Sequence, residues 1–217
     1  MDKARTYWLG ETSAVLEIPG ETTLEHQRRI WSLAEFFRRQ PGVREVVPGM
    51  NNLTVELDQT ATDIEDLPTA LNSGWAQSQL AEAPRRHIDI PVRYGGEVGP
   101  DLEVVARHTR LSVEEIIRIH SETEYSVYFL GFVAGFAYLG GMDRRLITPR
   151  RREPRQVVPA GSVGIGGEQT GVYPSASPGG WQLIGRTSIQ LFDPARDAPS
   201  LLLPGDTVRF VETRGRP

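Results

Sequence analysis

"GSVGIGGEQTGVYPSASPGGWQLIGRT", residues 161–187, holds eight of the chain's 22 glycines in 27 positions. Glycine at that density can cradle a phosphate, loosen a linker, or let a tight sheet press its backbone against something bulky. A phosphate-binding P-loop needs Lys and then Ser or Thr directly after its last glycine. Gly166 and Gly171 have the right separation, but Val172 and Tyr173 follow. A nucleophile elbow around Ser162 fails as well, because Ala160 stands where its first glycine is required. A linker and a tight sheet remain open on these residues. The neighbouring runs "RQVVPAGSVGIGG", "TGVYP", "WQLIGRTSIQLFD" and "SLLLPGDTVRFVE" are short, β-like and separated by Gly/Pro turns, which predicts a compact β-barrel.

Upstream of that region the periodicity changes. Ser112 with Glu115 forms a capping box that opens a short helix ending near His120, and "DLEVVARHT" forms another helix before it. Around Tyr94–Asp101 the chain is turn-rich. Earlier still, "SAVLEI" (13–18) reads as a strand and "LEHQRRIWSLAEFFRR" as an amphipathic helix capped by Thr22 and Glu25. "GVREVVPG" and "NNLTVELD" read as a strand pair, Asp63 to about Gln79 as a second helix, and "RHIDIPVRY" (86–94) as a further strand. The order β-α-β-β-α-β suggests a ferredoxin-like sandwich. The joint falls between 80 and 100, so the expected organisation is α+β, with residues 1–85 and 86–217 as its two domains.

Composition narrows the chemistry. The 39% apolar and 24% charged residues are ordinary for a globular protein. Without cysteine, thiol catalysis, disulfides and Cys-based metal sites are excluded. No apolar run has membrane-span length, and the N-terminus lacks a signal-peptide core, so a cytoplasmic location is expected. A net charge of −4 argues against nucleic acid as a partner. Of 24 basic residues only Lys3 is lysine, so any anion chemistry must use arginine. The histidines at 26, 87, 108 and 120 have no metal-ligand spacing, and no metal is expected.

Three groups of residues remain as candidates. "YSVYFLGFVAGFAY" (125–138) carries six of the 17 aromatics, which either fill the barrel core or line a pocket. Six arginines lie between 144 and 155. Arg150 and Arg155 each follow a proline, which stiffens the backbone behind a guanidinium suited to a carboxylate or phosphate. His120 is either a helix-end histidine favoured by the dipole or a general acid/base facing the aromatic loop.

The stretch "VRYGGEVGPDLEVVARHTRLSVEEIIRIHSETEYSVYFLGFVAGFAYLGGM", the "TPR…EPR" pair, "VPAGSVGIGGEQTGVYPSASPGGWQLIGRTSIQLFDP" and "LLLPGDTVRF" together resemble the KipI family, also called allophanate hydrolase subunit 1-like. "LGETSAVLE" and "PGMNNLTVEL" extend the likeness over nearly the whole chain. One residue departs: Ala134 replaces the proline of the family's Gly-Phe-x-Pro-Gly-Phe loop. The resemblance implies a small N-terminal α/β domain joined to a cyclophilin-like β-barrel. It also implies a 5-oxoprolinase activity: pairing with a homologous C-type subunit and, with an A-type subunit, ATP-dependent opening of 5-oxo-L-proline to L-glutamate. In that setting His120 would move a proton and Arg150 and Arg155 would hold phosphate or the substrate carboxylate. Gln169 and Ser177 would orient the lactam, and Phe132, Phe136, Tyr138 and Trp181 would contact the substrate. ATP would be shared with or supplied by a partner. Two alternatives accompany this reading: a carboxyltransferase-type subunit of a urea carboxylase, and an inhibitor of a sensor histidine kinase.

Overall fold

A computed structural model describes residues 3–58, 66–78 and 86–213. The chain divides into two compact units, Met1–Ala83 and Pro84–Pro217.

The first unit runs β1 (Arg5–Leu9), β2 (Ser13–Glu17), α1 (Leu24–Arg38), β3 (Val43–Gly49), β4 (Asn52–Leu57), α2 (Leu67–Gln77). Its sheet has the order β1-β2-β4-β3 and is antiparallel at every pairing. Ile30, Leu33 and Phe37 of α1 and Leu71 and Trp75 of α2 close over Leu16, Leu53 and Val55 of the sheet. Burying each such side chain contributes roughly 1.5–3 kcal/mol, which is what holds the helices to one face. Two details differ from the sequence reading. The α1 cap is Thr23, not Thr22: its Oγ1 accepts from the His26 amide at 3.1 Å. Thr22 and Thr23 are chemically equivalent candidates one residue apart, and only the chain's entry angle chooses between them. The expected start of α2 at Asp63 and its end at Gln79 lie outside the described residues; within them, Asp66 caps the helix.

The second unit contains β5 (His87–Tyr94), α3 (Leu102–Thr109), α4 (Val113–Glu122), β6 (Glu124–Leu130), β7 (Ala137–Gly140) and β8 (Arg155–Val158). It continues with β9 (Ser162–Gly166), β10 (Gln169–Val172), β11 (Ser177–Gly179), β12 (Gln182–Arg186) and β13 (Thr207–Glu212). Seven of these strands close a barrel in the order β10-β7-β6-β13-β5-β12-β9, so the α+β class with a closed barrel holds. Strand 86–94, which the β-α-β-β-α-β order counted with the N-terminal sandwich and the 86–217 boundary with the second domain, is a barrel stave. It runs parallel to β13 from His87↔Thr207 to Val92↔Glu212 and does not pair with the first sheet. The first unit takes its fourth strand from β1, whose exposed Tyr7, Trp8 and Leu9 gave no alternating signal. The barrel interior is filled by Ile90, Val92, Val127, Val163, Ile165, Val208 and Phe210. The Ser112–Glu115 capping box forms as read, with Ser112 Oγ accepting from the Glu115 amide and Glu115 Oε2 from the Ser112 amide. β8 and β11 form a two-stranded ribbon that is not one of the staves.

Candidate functional site

The β6–β7 connection is built from two successive tight turns. The Val133 amide donates to the Gly131 carbonyl at 2.8 Å across Phe132, whose φ is 68°. That is the strained form of the three-residue turn, rare for a bulky side chain. The Phe136 amide then donates to the Val133 carbonyl at 3.0 Å, with Gly135 at φ 79° in the third position, the signature of a type II turn. The outcome is that Phe132 stands 60% exposed while Phe136, four residues on, is 2% exposed.

Phe136 belongs to a second apolar cluster, with Val158, Tyr173, Trp181 and Leu183. Its rings meet edge to face: Phe136 lies 5.5 Å from Trp181 and 5.6 Å from Tyr173 between centroids, and Phe132 lies 5.5 Å from Phe136. The glycines of 161–187 make this arrangement possible. A Cβ on Gly166 would overlap the Trp181 indole, and one on Gly179 would overlap the Tyr173 ring. Bare backbone lies against these rings at both places. The third option raised by the glycine-rich stretch is the one the chain uses.

A pocket of about 260 Å³ opens here, lined by Phe132, Phe136, Tyr138, Arg150, Pro154, Tyr173 and the Pro178–Trp181 segment. The guanidinium of Arg150 sits 6.0 Å from the Trp181 ring centroid, at the outer limit of a cation–π contact. Among the described residues Arg150 makes no ion pair. Burial raises the Tyr173 hydroxyl above its ordinary value, with a hydrogen bond and the nearby Arg150 and Arg155 charges opposing it, so the phenol stays neutral.

Arg155 is held differently. Its Nη2 donates to Asp101 Oδ1 at 2.8 Å, and Arg151 Nη1 approaches the same oxygen at 3.3 Å. Asp101 Oδ2 accepts from the Leu183 amide at 2.7 Å. Arg155 pairs across the ribbon with Gly179, which lines the pocket, and its Nη1 is buried without a partner among the described residues. Ser177 opens β11 opposite Val158, and its hydroxyl is likewise buried and unpartnered. Gln169 begins β10, half-buried opposite Gly166, and is not among the pocket-lining residues.

His120 is elsewhere. It is fully buried and stacked on Phe210 inside the barrel at 4.4 Å. Thr170 Oγ1 donates to the Gly164 carbonyl at 3.0 Å and therefore accepts from His120 Nε2–H at 2.8 Å. His120 Nδ1 then accepts from the Tyr94 hydroxyl at 2.7 Å. Both ring nitrogens are satisfied in the neutral form, and burial lowers the imidazole pKa to about 3. His120 is not among the residues that line the pocket; its ring lies 5.6 Å from that of Tyr125, the first aromatic of 125–138, where both are buried. Of the residues singled out from sequence, the structure brings Phe132, Phe136, Tyr138, Arg150 and Trp181 to one pocket, with Arg155 and Ser177 on its ribbon. Sequence reasoning missed Asp101, in the turn-rich joint, and Tyr173, at the end of "TGVY". Among the described residues no group of three His, Asp or Glu side chains could hold a metal.

Known proteins share this architecture. The family described as carboxyltransferase domain, subdomain C and D, matches residues 4–202. A protein from Escherichia coli O157:H7, named as the B subunit of 5-oxoprolinase, is 56% identical over 211 residues, 97% of each chain. One of the same name from Haemophilus influenzae is 49% identical, over 94% of this chain and 95% of that one. The crystal structure of TTHA0988 superimposes with a TM-score of 0.80 at 37% identity; 98% of this chain is covered, but only 40% of that longer one.

Proposed function

The chain belongs to the carboxyltransferase domain, subdomain C and D, family, and from that premise we propose that it is the B-type subunit of a cytoplasmic ATP-dependent 5-oxoprolinase. The observation that carries the reading is the Arg150 guanidinium, without an ion pair among the described residues, beside Trp181 at a small, ring-lined pocket. A cation with free donors over an aromatic wall suits a compact anion with an apolar body. 5-Oxo-L-proline is one: a five-membered lactam with a single carboxylate. Arg150 takes that carboxylate as a charge-assisted pair. Phe136, Tyr138 and Trp181 pack on the ring and keep water from it. Arg155 Nη1 and Ser177 Oγ, buried and without a partner among the described residues, stand on the neighbouring ribbon behind the pocket wall. His120, sealed in the barrel, is left out of this site, and so is Gln169.

Among the described residues this pocket offers a nucleotide no phosphate cradle. The pocket, at about 260 Å³, lies below the roughly 300–1,000 Å³ of sites that enclose drug-sized ligands. The glycine-rich segment forms β9 and β10, with no helix N-terminus to receive a phosphate. ATP, in this reading, is shared with or supplied by a partner. The relatives' names, each that of one subunit of an enzyme, support an assembly of several chains. The partners proposed are a homologous C-type subunit and an A-type subunit.

The test is reconstitution. The three purified chains together should release glutamate from 5-oxoproline with ATP hydrolysis, and this chain alone should release none. Full turnover by the single chain would refute the divided site, and no turnover by the complete set would refute the reading.

A further inference from the structure

Among the described residues Arg150 is the one pocket cation without a carboxylate, yet the six-residue span from Pro149 to Pro154 that carries it contains no strand or helix. Something else must fix it. The Pro149 carbonyl accepts from Gln182 Nε2 at 3.0 Å, and the Arg151 amide donates to the Gly180 carbonyl at 2.7 Å. So the backbone is tied on both sides of Arg150. The Arg151 and Arg155 side chains beyond it both end on Asp101. Asp101 is 4% exposed and is itself anchored through two bonds to one strand residue, its amide to the Leu183 carbonyl and its Oδ2 to the Leu183 amide. It stands at the N-cap position of α3 but makes no side-chain cap there, because both carboxylate oxygens are used elsewhere. One buried carboxylate therefore binds the arginine loop to β12, and it occupies the two neighbouring guanidiniums that would otherwise compete for the anion Arg150 takes.

We propose that Asp101 is a positioning residue for the pocket: it fixes the 149–155 loop so that Arg150 alone presents an open guanidinium beside Trp181. The inference rests on the reading of this pocket as the 5-oxoproline site. Its mechanical half does not. In Asp101→Asn one acceptor oxygen becomes an N–H group facing donors, so the clamp opens without a change of volume.

The experiment uses the assembled three-chain complex with 5-oxoproline as the probe, and hydrogen exchange as an independent readout. In Asp101→Asn, amide exchange across 149–155 should accelerate at least tenfold while β9 and β13 keep their protection. KM for 5-oxoproline should rise at least tenfold, with kcat changed less than about threefold. Added to Arg150→Ala, the same substitution should change KM less than twofold, because the residue it positions is gone. Should Asp101→Asn fail to fold, Arg151→Ala removes one strut and leaves the carboxylate paired; it should raise KM about threefold in the same pattern. Unchanged loop exchange overturns the proposal, as does a KM effect that multiplies in the Arg150→Ala background. If wild-type complex opens no 5-oxoproline, the substrate reading falls while the exchange result still decides the clamp.

Discussion

The inside of the barrel and the aromatic shelf at its ribbon both set polar groups among aromatic rings, with opposite treatment of those groups. Inside, a histidine, a tyrosine and a threonine form a closed chain: Tyr94 donates to His120, His120 to Thr170, and Thr170 to the Gly164 carbonyl. Every donor has its acceptor, and nothing is left for a ligand. At the shelf, among the described residues, Arg150 has no carboxylate, and Arg155 Nη1 and Ser177 Oγ have no partner. Phe132 is held there at φ 68° with most of its ring in solvent. Satisfied polar groups specify a core, whereas open polar groups and strained backbone mark a place where binding is completed from outside.

Four measurements can break or sharpen that contrast. The largest effect belongs to the barrel. His120→Ala leaves a cavity beside Phe210 and strands the Tyr94 hydroxyl, so it should destabilise by about 3 kcal/mol in chemical denaturation. Turnover per folded molecule in the assembled complex should stay near wild type; a hundredfold loss of kcat in folded protein would return His120 to the chemistry.

Arg150→Ala is the reciprocal case. Losing one charge-assisted pair should weaken 5-oxoproline binding by about 2 kcal/mol, roughly 30-fold in KM. Its exposed side chain should leave stability within about 0.5 kcal/mol. A large fall in melting temperature with unchanged KM would reverse the assignment of the two regions.

The third concerns pH. His120 has a folded-state pKa of about 3 and an unfolded value near 6.5. Between these the unfolded chain binds a proton that the folded one refuses, so stability falls as pH drops from 6.5 toward 3. The slope from this group approaches about 1.4 kcal/mol per pH unit. His120→Gln cannot take that proton, so its stability should depend less steeply on pH than wild type between 6.5 and 4.5. Parallel curves would show that the imidazole is not sealed.

The smallest expected effect is at the shelf's own loop. Ala134 occupies the second position of the Val133–Phe136 turn, where proline is favoured when Gly135 follows at positive φ. Ala134→Pro should stabilise by about 0.5 kcal/mol through the unfolded chain, with no loss of 5-oxoproline binding. Destabilisation would mean that the turn is not of the type inferred.

How much of this could be read in advance follows the range of each interaction. The body of α1, the Ser112–Glu115 box and the short barrel strands depend on residues a few positions apart, and they were legible. So was the absence of a P-loop, which turns on two residues after Gly171. The sheet that strand 86–94 joins was not legible, because its ladder partner lies 120 residues away, as the His87–Thr207 pair shows. Nothing local says which sheet a strand joins. Arg150 was legible by its chemistry and by the proline before it. Asp101 was not, since its partners are 50, 54 and 82 residues distant and "GPD" alone reads as a turn.

By itself, then, the sequence determined the chemical inventory: no thiol, one lysine, arginine as the anion-binding cation, and aromatics set among glycines where backbone must approach rings. It also determined local structure, because caps, turns and periodicity act over one or two helical turns or a single strand. Only the tertiary structure decided which polar groups are spent and which are open. His120 and Arg150 look equally functional along the chain. Closure of the barrel surrounds one with acceptors and donors from distant strands and leaves the other facing a pocket, and that difference is a matter of packing between residues far apart in sequence.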